Sequence, residues 1–142
     1  MNDRREFLTA SLMGLAASFI AAREAGAAPS ARPLVTKDCP KVNLDGWQIT
    51  ASEVSYPAGE SSTKHKHNGF VIGYVLEGQY RFAVNNEPEK VLKPGEMFFE
   101  SFETVASDVH AVSGATAAGP AKILAIVFSK KGDPPTLPVP GA

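Results

Sequence analysis

No segment after residue 27 carries a sustained helical period, while Gly, Pro or Asn punctuates the chain every 8 to 15 residues. Such spacing leaves room for short strands joined by tight turns and for little else. All 11 Pro and 10 of the 12 Gly fall in this part, a density of turns and not of low complexity. The expected class is therefore all-β, a small antiparallel β-barrel. Closing the sheet is the economical way for so few residues to bury apolar strand faces without leaving long unpaired edges.

The strand candidates follow from alternation and from their boundaries. Trp47 to Tyr56 is long enough for one strand and stops at Pro57-Ala58-Gly59. Phe70 to Leu76 forms a second, broken at Glu77-Gly78. In the next, Gln79 to Val84, Tyr80, Phe82 and Val84 alternate with polar or small residues, the mark of one buried face. Asn85-Asn86 supplies a tight turn, because Asn tolerates positive φ. Val91-Leu92 precedes the turn Lys93-Pro94-Gly95, and Glu96 to Glu100 carries Met97, Phe98 and Phe99. Val109 to Val112 and Lys122 to Phe128 complete the set, separated by a small-residue loop from Ser113 to Pro120.

The N-terminus reads differently. Arg4 and Arg5 precede the 16-residue uncharged stretch Phe7 to Ala22, which is followed by Arg23, Glu24 and the small-residue run Ala25-Gly26-Ala27-Ala28. This is the n-region, h-region and cleavage site of an export signal. The stretch is short for a bilayer span of roughly 20 residues, so a retained anchor is the weaker reading. Asp3-Arg4-Arg5-Glu6-Phe7-Leu8 resembles the twin-arginine export signal, which implies a bacterial protein sent folded to the periplasm or outside the cell. An ordinary secretory signal with an adjacent arginine pair is the alternative. The expected organisation is a signal over 1–27, a Pro/Ala-rich linker or arm over 28–43, the barrel over 44–130 and a Pro-rich tail over 131–142.

Charge and cysteine content narrow the chemistry. The chain has 14 basic against 15 acidic residues, so nucleic acid is not an expected partner, nor is a membrane once the signal is removed. Cys39 is the only cysteine, which excludes an intramolecular disulfide and the thiolate zinc sites. Any metal must be held by His, carboxylate or amide groups.

All 3 histidines stand in telling places, His65 and His67 after a turn and His110 at the start of a late strand. Residues i and i+2 of a strand share a face, so His65 and His67 can present two imidazoles side by side. If His110 folds back beside them, three imidazoles suffice for Fe, Ni, Cu or Zn with positions left open. An exposed surface pair is the plainer reading of His-x-His alone.

The wider context resembles the cupin superfamily. Gly59, then His65-Lys66-His67, then Gly78 at the end of Gly73-Tyr74-Val75-Leu76-Glu77-Gly78 is similar to the first cupin motif, G-x5-H-x-H-x3,4-E-x6-G. Lys93 to Glu100 through His110 is similar to the second, G-x5-P-x-G-x2-H-x3-N. The look-alikes are small exported single-domain cupins. The resemblance implies a double-stranded β-helix or jelly-roll barrel, one divalent transition metal (Fe, Mn, Ni or Zn), and ligands at His65, His67 and His110. It also implies pairing of two copies through a sheet face. Three departures stand out. The motif-one Glu falls on Val71. Nine residues separate Glu100 from His110 where five are expected, with Ser101 and Glu103 at the Pro and Gly positions. The motif-two Asn falls on Gly114.

Glu100 is the extra carboxylate. Pointing into the barrel, it would be a fourth ligand, an acceptor for an imidazole N–H, or a general base. Pointing outward, it is a solvated strand end. Tyr74 and Gln79 are candidates for the cavity wall, Trp47 for wall or core, and Phe82, Phe98, Phe99 and Phe128 for packing. Three functions remain open: a metal-dependent dioxygenase, isomerase or lyase acting on a small oxygenated molecule; a non-catalytic module that binds or senses a small molecule; and a structural barrel with a degenerate site.

Overall fold

The computed structural model of the chain describes residues 30–101 and 109–139, with the side chains of 109–111 left out. The segment expected as an export signal, 1–27, and most of the loop from Ser101 to Val109 lie outside the described residues. Among those described, no helix is long and apolar enough to cross a membrane.

Among the described residues nine strands run in chain order: β1 Trp47–Tyr56, β2 His65–His67, β3 Gly69–Glu77, β4 Tyr80–Val84, β5 Lys90–Leu92, β6 Met97–Glu100, β7 Val109–Ala115, β8 Ala121–Lys130 and β9 Thr136–Pro138. They form two sheets, β1-β8-β3-β6 and β5-β4-β7-β2-β9, and every pairing is antiparallel. The all-β antiparallel class is as the sequence indicates. The turn chemistry agrees in detail: Asn85 takes φ 52° and Gly95 takes φ 90°, and Glu96 donates its N–H to Lys93 O at 3.0 Å.

The core lies between the sheets. Tyr56, Val75, Phe98, Ala121 and Ile123 from the first sheet meet Tyr80, Phe82, Val84 and Ala115 from the second. Period-2 alternation decides which residues these are, since Val71, Gly73 and Val75 on β3 share a face with Phe98 and Glu100 on β6. Gly73 faces Phe98 across the ladder, and a Cβ at Gly73 would overlap the Phe98 ring. The glycine thus lets the ring lie flat over the sheet, where its burial contributes roughly 1.5–3 kcal/mol. The opposite face of the same sheet carries a separate aromatic group. Phe70 stacks on Phe128 at 4.4 Å between centroids, with Trp47 at 6.2 Å and Phe99 at 6.3 Å. Trp47, Phe99 and Phe128 are therefore packing residues outside the cavity.

Two elements differ from the sequence reading. Strand β7 continues through Ser113-Gly114-Ala115, because Phe82, Arg81 and Tyr80 on β4 offer a ladder to these small residues. Pairing to a neighbour outweighs weak local propensity. The segment expected as a Pro-rich tail supplies β9, which pairs with β2 through His65↔Pro138, Lys66↔Leu137 and His67↔Thr136. It is the edge of its sheet, the one place where strand prolines cost no ladder hydrogen bond.

Candidate metal centre and cavity

A cavity of about 420 Å³ opens between the sheets. One wall is apolar, made by Val54, Val71, Phe98, Ile123 and Ala125. The other carries Ser62, Thr63, His65, His67, Ser113 and Thr136, and Glu100 faces them from β6, beside Val71 and Phe98. Tyr74 and Gln79 do not line it. Tyr74 alternates to the far face of β3, and Gln79 is exposed, accepting a hydrogen bond from Thr116 Oγ1 at 3.3 Å. Cys39 is exposed and takes no part in it.

The pair His65 and His67 occupies the two ends of β2, so both rings fall on the cavity face, 5.1 Å apart between centroids and near perpendicular at 88°. Each ring is held from behind. His65 Nδ1 lies 2.8 Å from Thr63 O, and His67 Nδ1 lies 3.1 Å from Pro135 O. A carbonyl oxygen only accepts, so both Nδ1 atoms carry the proton, which in the neutral ring leaves the in-plane lone pair on Nε2. Metal-binding imidazoles show this arrangement, in which a carbonyl behind Nδ1 fixes tautomer and ring orientation. Asn68 strengthens the same junction: its Nδ2 donates to Pro134 O at 2.9 Å and its N–H to Pro135 O at 3.1 Å. Pro134, Pro135 and Thr136 hold His67 and Asn68 by hydrogen bonds that the sequence reading missed. Only their pairing with β2 reveals them.

His110 is placed by register. Its Cα is the direct partner of His65 across β2–β7, and of Val84 across β4–β7. The β4–β7 register shifts between Ala83 and Val84, which inserts Ala111 as an extra residue beside His110. Bulges of this kind locally reset the direction of a strand and are common near functional sites.

Glu100 is 2% exposed. The solvated strand end is overturned: alternation along β6 puts Phe98 and Glu100 on the inner face together. Its Oε2 lies 3.8 Å from His67 Nε2. That is too long for a hydrogen bond. Two donors of one first-row ion, at metal–ligand distances of about 2.0–2.2 Å, stand roughly 3–3.6 Å apart, so this pair is within a few tenths of an ångström of that spacing. Among the described residues, which omit the His110 side chain, no group of three or more His, Cys, Asp or Glu clusters as a metal cage. The donor set still fits the metal implied by the sequence motifs: two oriented imidazoles, a third histidine in register, and a buried carboxylate.

A chain of hydroxyls closes the cavity on another side. Ser113 Oγ lies 2.8 Å from both Tyr56 OH and Tyr80 OH, and Tyr56 OH is 3.2 Å from Ser62 Oγ. Burial pushes the Tyr80 phenol well above its ordinary pKa, so it stays protonated.

The model of the family described as "Cupin domain" matches residues 52–127. Among solved structures, a cupin-like protein from Thermotoga maritima is 20% identical, with TM-score 0.55 and coverage of 64% of each chain. The DMSP lyase DddQ from Ruegeria pomeroyi is 21% identical with TM-score 0.55, covering 66% of this chain and 45% of its own. An uncharacterised double-stranded β-helix protein from Klebsiella pneumoniae is 13% identical with TM-score 0.51, covering 63% of this chain and 72% of its own. The chain spans less than two thirds of the length of the first two. No curated protein sequence matches it.

Proposed function

The chain belongs to the cupin family, and from that premise we propose that it is an exported metal-dependent enzyme acting on a small oxygenated molecule. His65, His67 and His110 hold one divalent transition metal, and Glu100 is the fourth donor. One observation carries this reading. Two imidazoles with carbonyl-anchored Nδ1 atoms share a cavity with a buried carboxylate 3.8 Å from His67 Nε2.

Fe, Mn, Ni or Zn in such a site supplies Lewis acidity toward a carbonyl, carboxylate or enolisable oxygen, and Fe or Mn adds redox chemistry. The chain's own part is positional. Thr63 O and Pro135 O keep the Nδ1 protons in place, so the rings do not rotate or switch tautomer. Val54, Val71, Phe98, Ile123 and Ala125 hold a short carbon skeleton and keep water from it. The Arg4-Arg5-Glu6-Phe7-Leu8 segment supports twin-arginine export to the periplasm.

One observation favours a second reading, a non-catalytic small-molecule binder. Glu100 is the only carboxylate on the described cavity wall, so as a ligand it leaves no second one to move a proton. The test is elemental analysis of residues 28–142 purified through the native export route, beside His65→Ala/His67→Ala and Glu100→Gln. About one equivalent of metal in the wild type, lost from the double variant, supports the centre; none in the wild type overturns it. Metal retained by Glu100→Gln with turnover abolished makes Glu100 a base.

A further inference from the structure

The hydroxyl chain Tyr80–Ser113–Tyr56–Ser62 has four protons and three hydrogen bonds. Each bond consumes one proton, so one is left over, and its location is constrained. Tyr80 is 0% exposed, and among the described residues its hydroxyl meets Ser113 alone. A spare proton there would be a buried donor without an acceptor, the costly arrangement folded proteins avoid. Tyr80, kept neutral by burial, must therefore donate to Ser113. The spare proton always resides on Ser113, Tyr56 or Ser62, and all three line the cavity.

Among these three, Tyr56 is the candidate that meets a ligand. Ser62 is exposed, so water competes for its proton. Ser113 is 3% exposed and sits between the two phenols. Tyr56, 8% exposed at the end of β1, is the last member of the chain shielded from bulk water. We propose that Tyr56, braced by Ser113 and Tyr80, donates a hydrogen bond to a second acceptor oxygen of the bound molecule. The ligand class is thus a short dicarboxylate or oxo-acid, with one oxygen group at the histidine centre and another at Tyr56. The proposal rests on the small-molecule reading above.

The probes are succinate and butyrate, acids of equal carbon number that differ in the second carboxylate. Both are titrated calorimetrically into Mn(II)-supplemented wild-type protein, Tyr56→Phe and Ser113→Ala. The wild type is expected to favour succinate by about tenfold, because only succinate offers Tyr56 an acceptor oxygen. Tyr56→Phe keeps the ring and should erase that preference while leaving butyrate binding within about twofold. Ser113→Ala should reduce the preference in the same direction. A purely structural role for Tyr56 would shift both acids in parallel and overturns the proposal, as does an unchanged preference in Tyr56→Phe. Binding of neither acid to wild-type protein overturns the ligand class, whereas the metal centre itself falls only if the elemental analysis finds no metal.

Discussion

Val71 and Glu100 are direct cross-strand partners on β3 and β6, 1% and 2% exposed, with both side chains on the cavity wall. Val71 occupies the position where the first cupin motif has its glutamate. Directly opposed residues on antiparallel strands point to the same face with Cβ atoms about 5 Å apart. The carboxylate missing from β3 is thus present one strand over, at nearly the same place in the cavity.

That relationship predicts an exchange. Glu100→Val should weaken Mn(II) binding at least about tenfold, and Val71→Glu added to Glu100→Val should restore most of it. Calorimetric titration of the single and double variants checks this. A double variant as weak as the single one would show that the position on β6 itself is required.

The β9 segment should matter to the metal as well as to the fold. Deleting residues 134–142 removes the carbonyls of Pro134 and Pro135 and the Thr136 hydroxyl, which lies 3.2 Å from His67 Nδ1. The expected result is a fall of about 10–100-fold in metal affinity. Thr136→Ala, which keeps both carbonyls, should lose far less. Equal affinity in the deletion and the full chain would contradict the supporting role of the segment.

Phe98 contacts both the core and the cavity. Phe98→Ala should cost about 3–5 kcal/mol in urea unfolding, the range for a buried aromatic truncated in a packed core. A loss under about 1 kcal/mol would mean that the ring is poorly packed.

Acid should weaken one surface pair in a known direction. Arg81 grips Glu89 through two hydrogen bonds of 2.7 and 2.8 Å, and the guanidinium holds the Glu89 carboxyl below its ordinary 4.5. Stability from a lowered carboxyl is fully present above the unfolded value and is lost as pH falls through the folded one. The contribution is therefore complete at pH 7 and declines below about pH 4.5. Exposure limits it to less than about 1 kcal/mol. Urea midpoints of wild type and Glu89→Gln should differ at pH 7 and converge near pH 3.

Much of the fold was legible in the residues. The run from Trp47 to Tyr56, the alternation of Tyr80, Phe82 and Val84, and the turns at Asn85 and Gly95 all follow from local chemistry, and all appear as expected. The shared face of His65 and His67 follows from a spacing of two along a strand. Glu100 was ambiguous, because a strand end can be buried or wet and only its neighbours decide. Ser113 looked like loop, since small polar residues carry no strand signal until β4 pairs with them.

By itself, then, the sequence determined the all-β class, the turn positions and the two-imidazole pair, because φ/ψ preferences and strand periodicity act over a few residues. The tertiary structure alone decided three further things. It set Glu100 opposite Val71, aligned the His110 backbone with His65 beside a bulge, and folded Pro135 and Thr136 behind His67. Each is a matter of register between strands distant in the chain, fixed only when the sheets close around a common core.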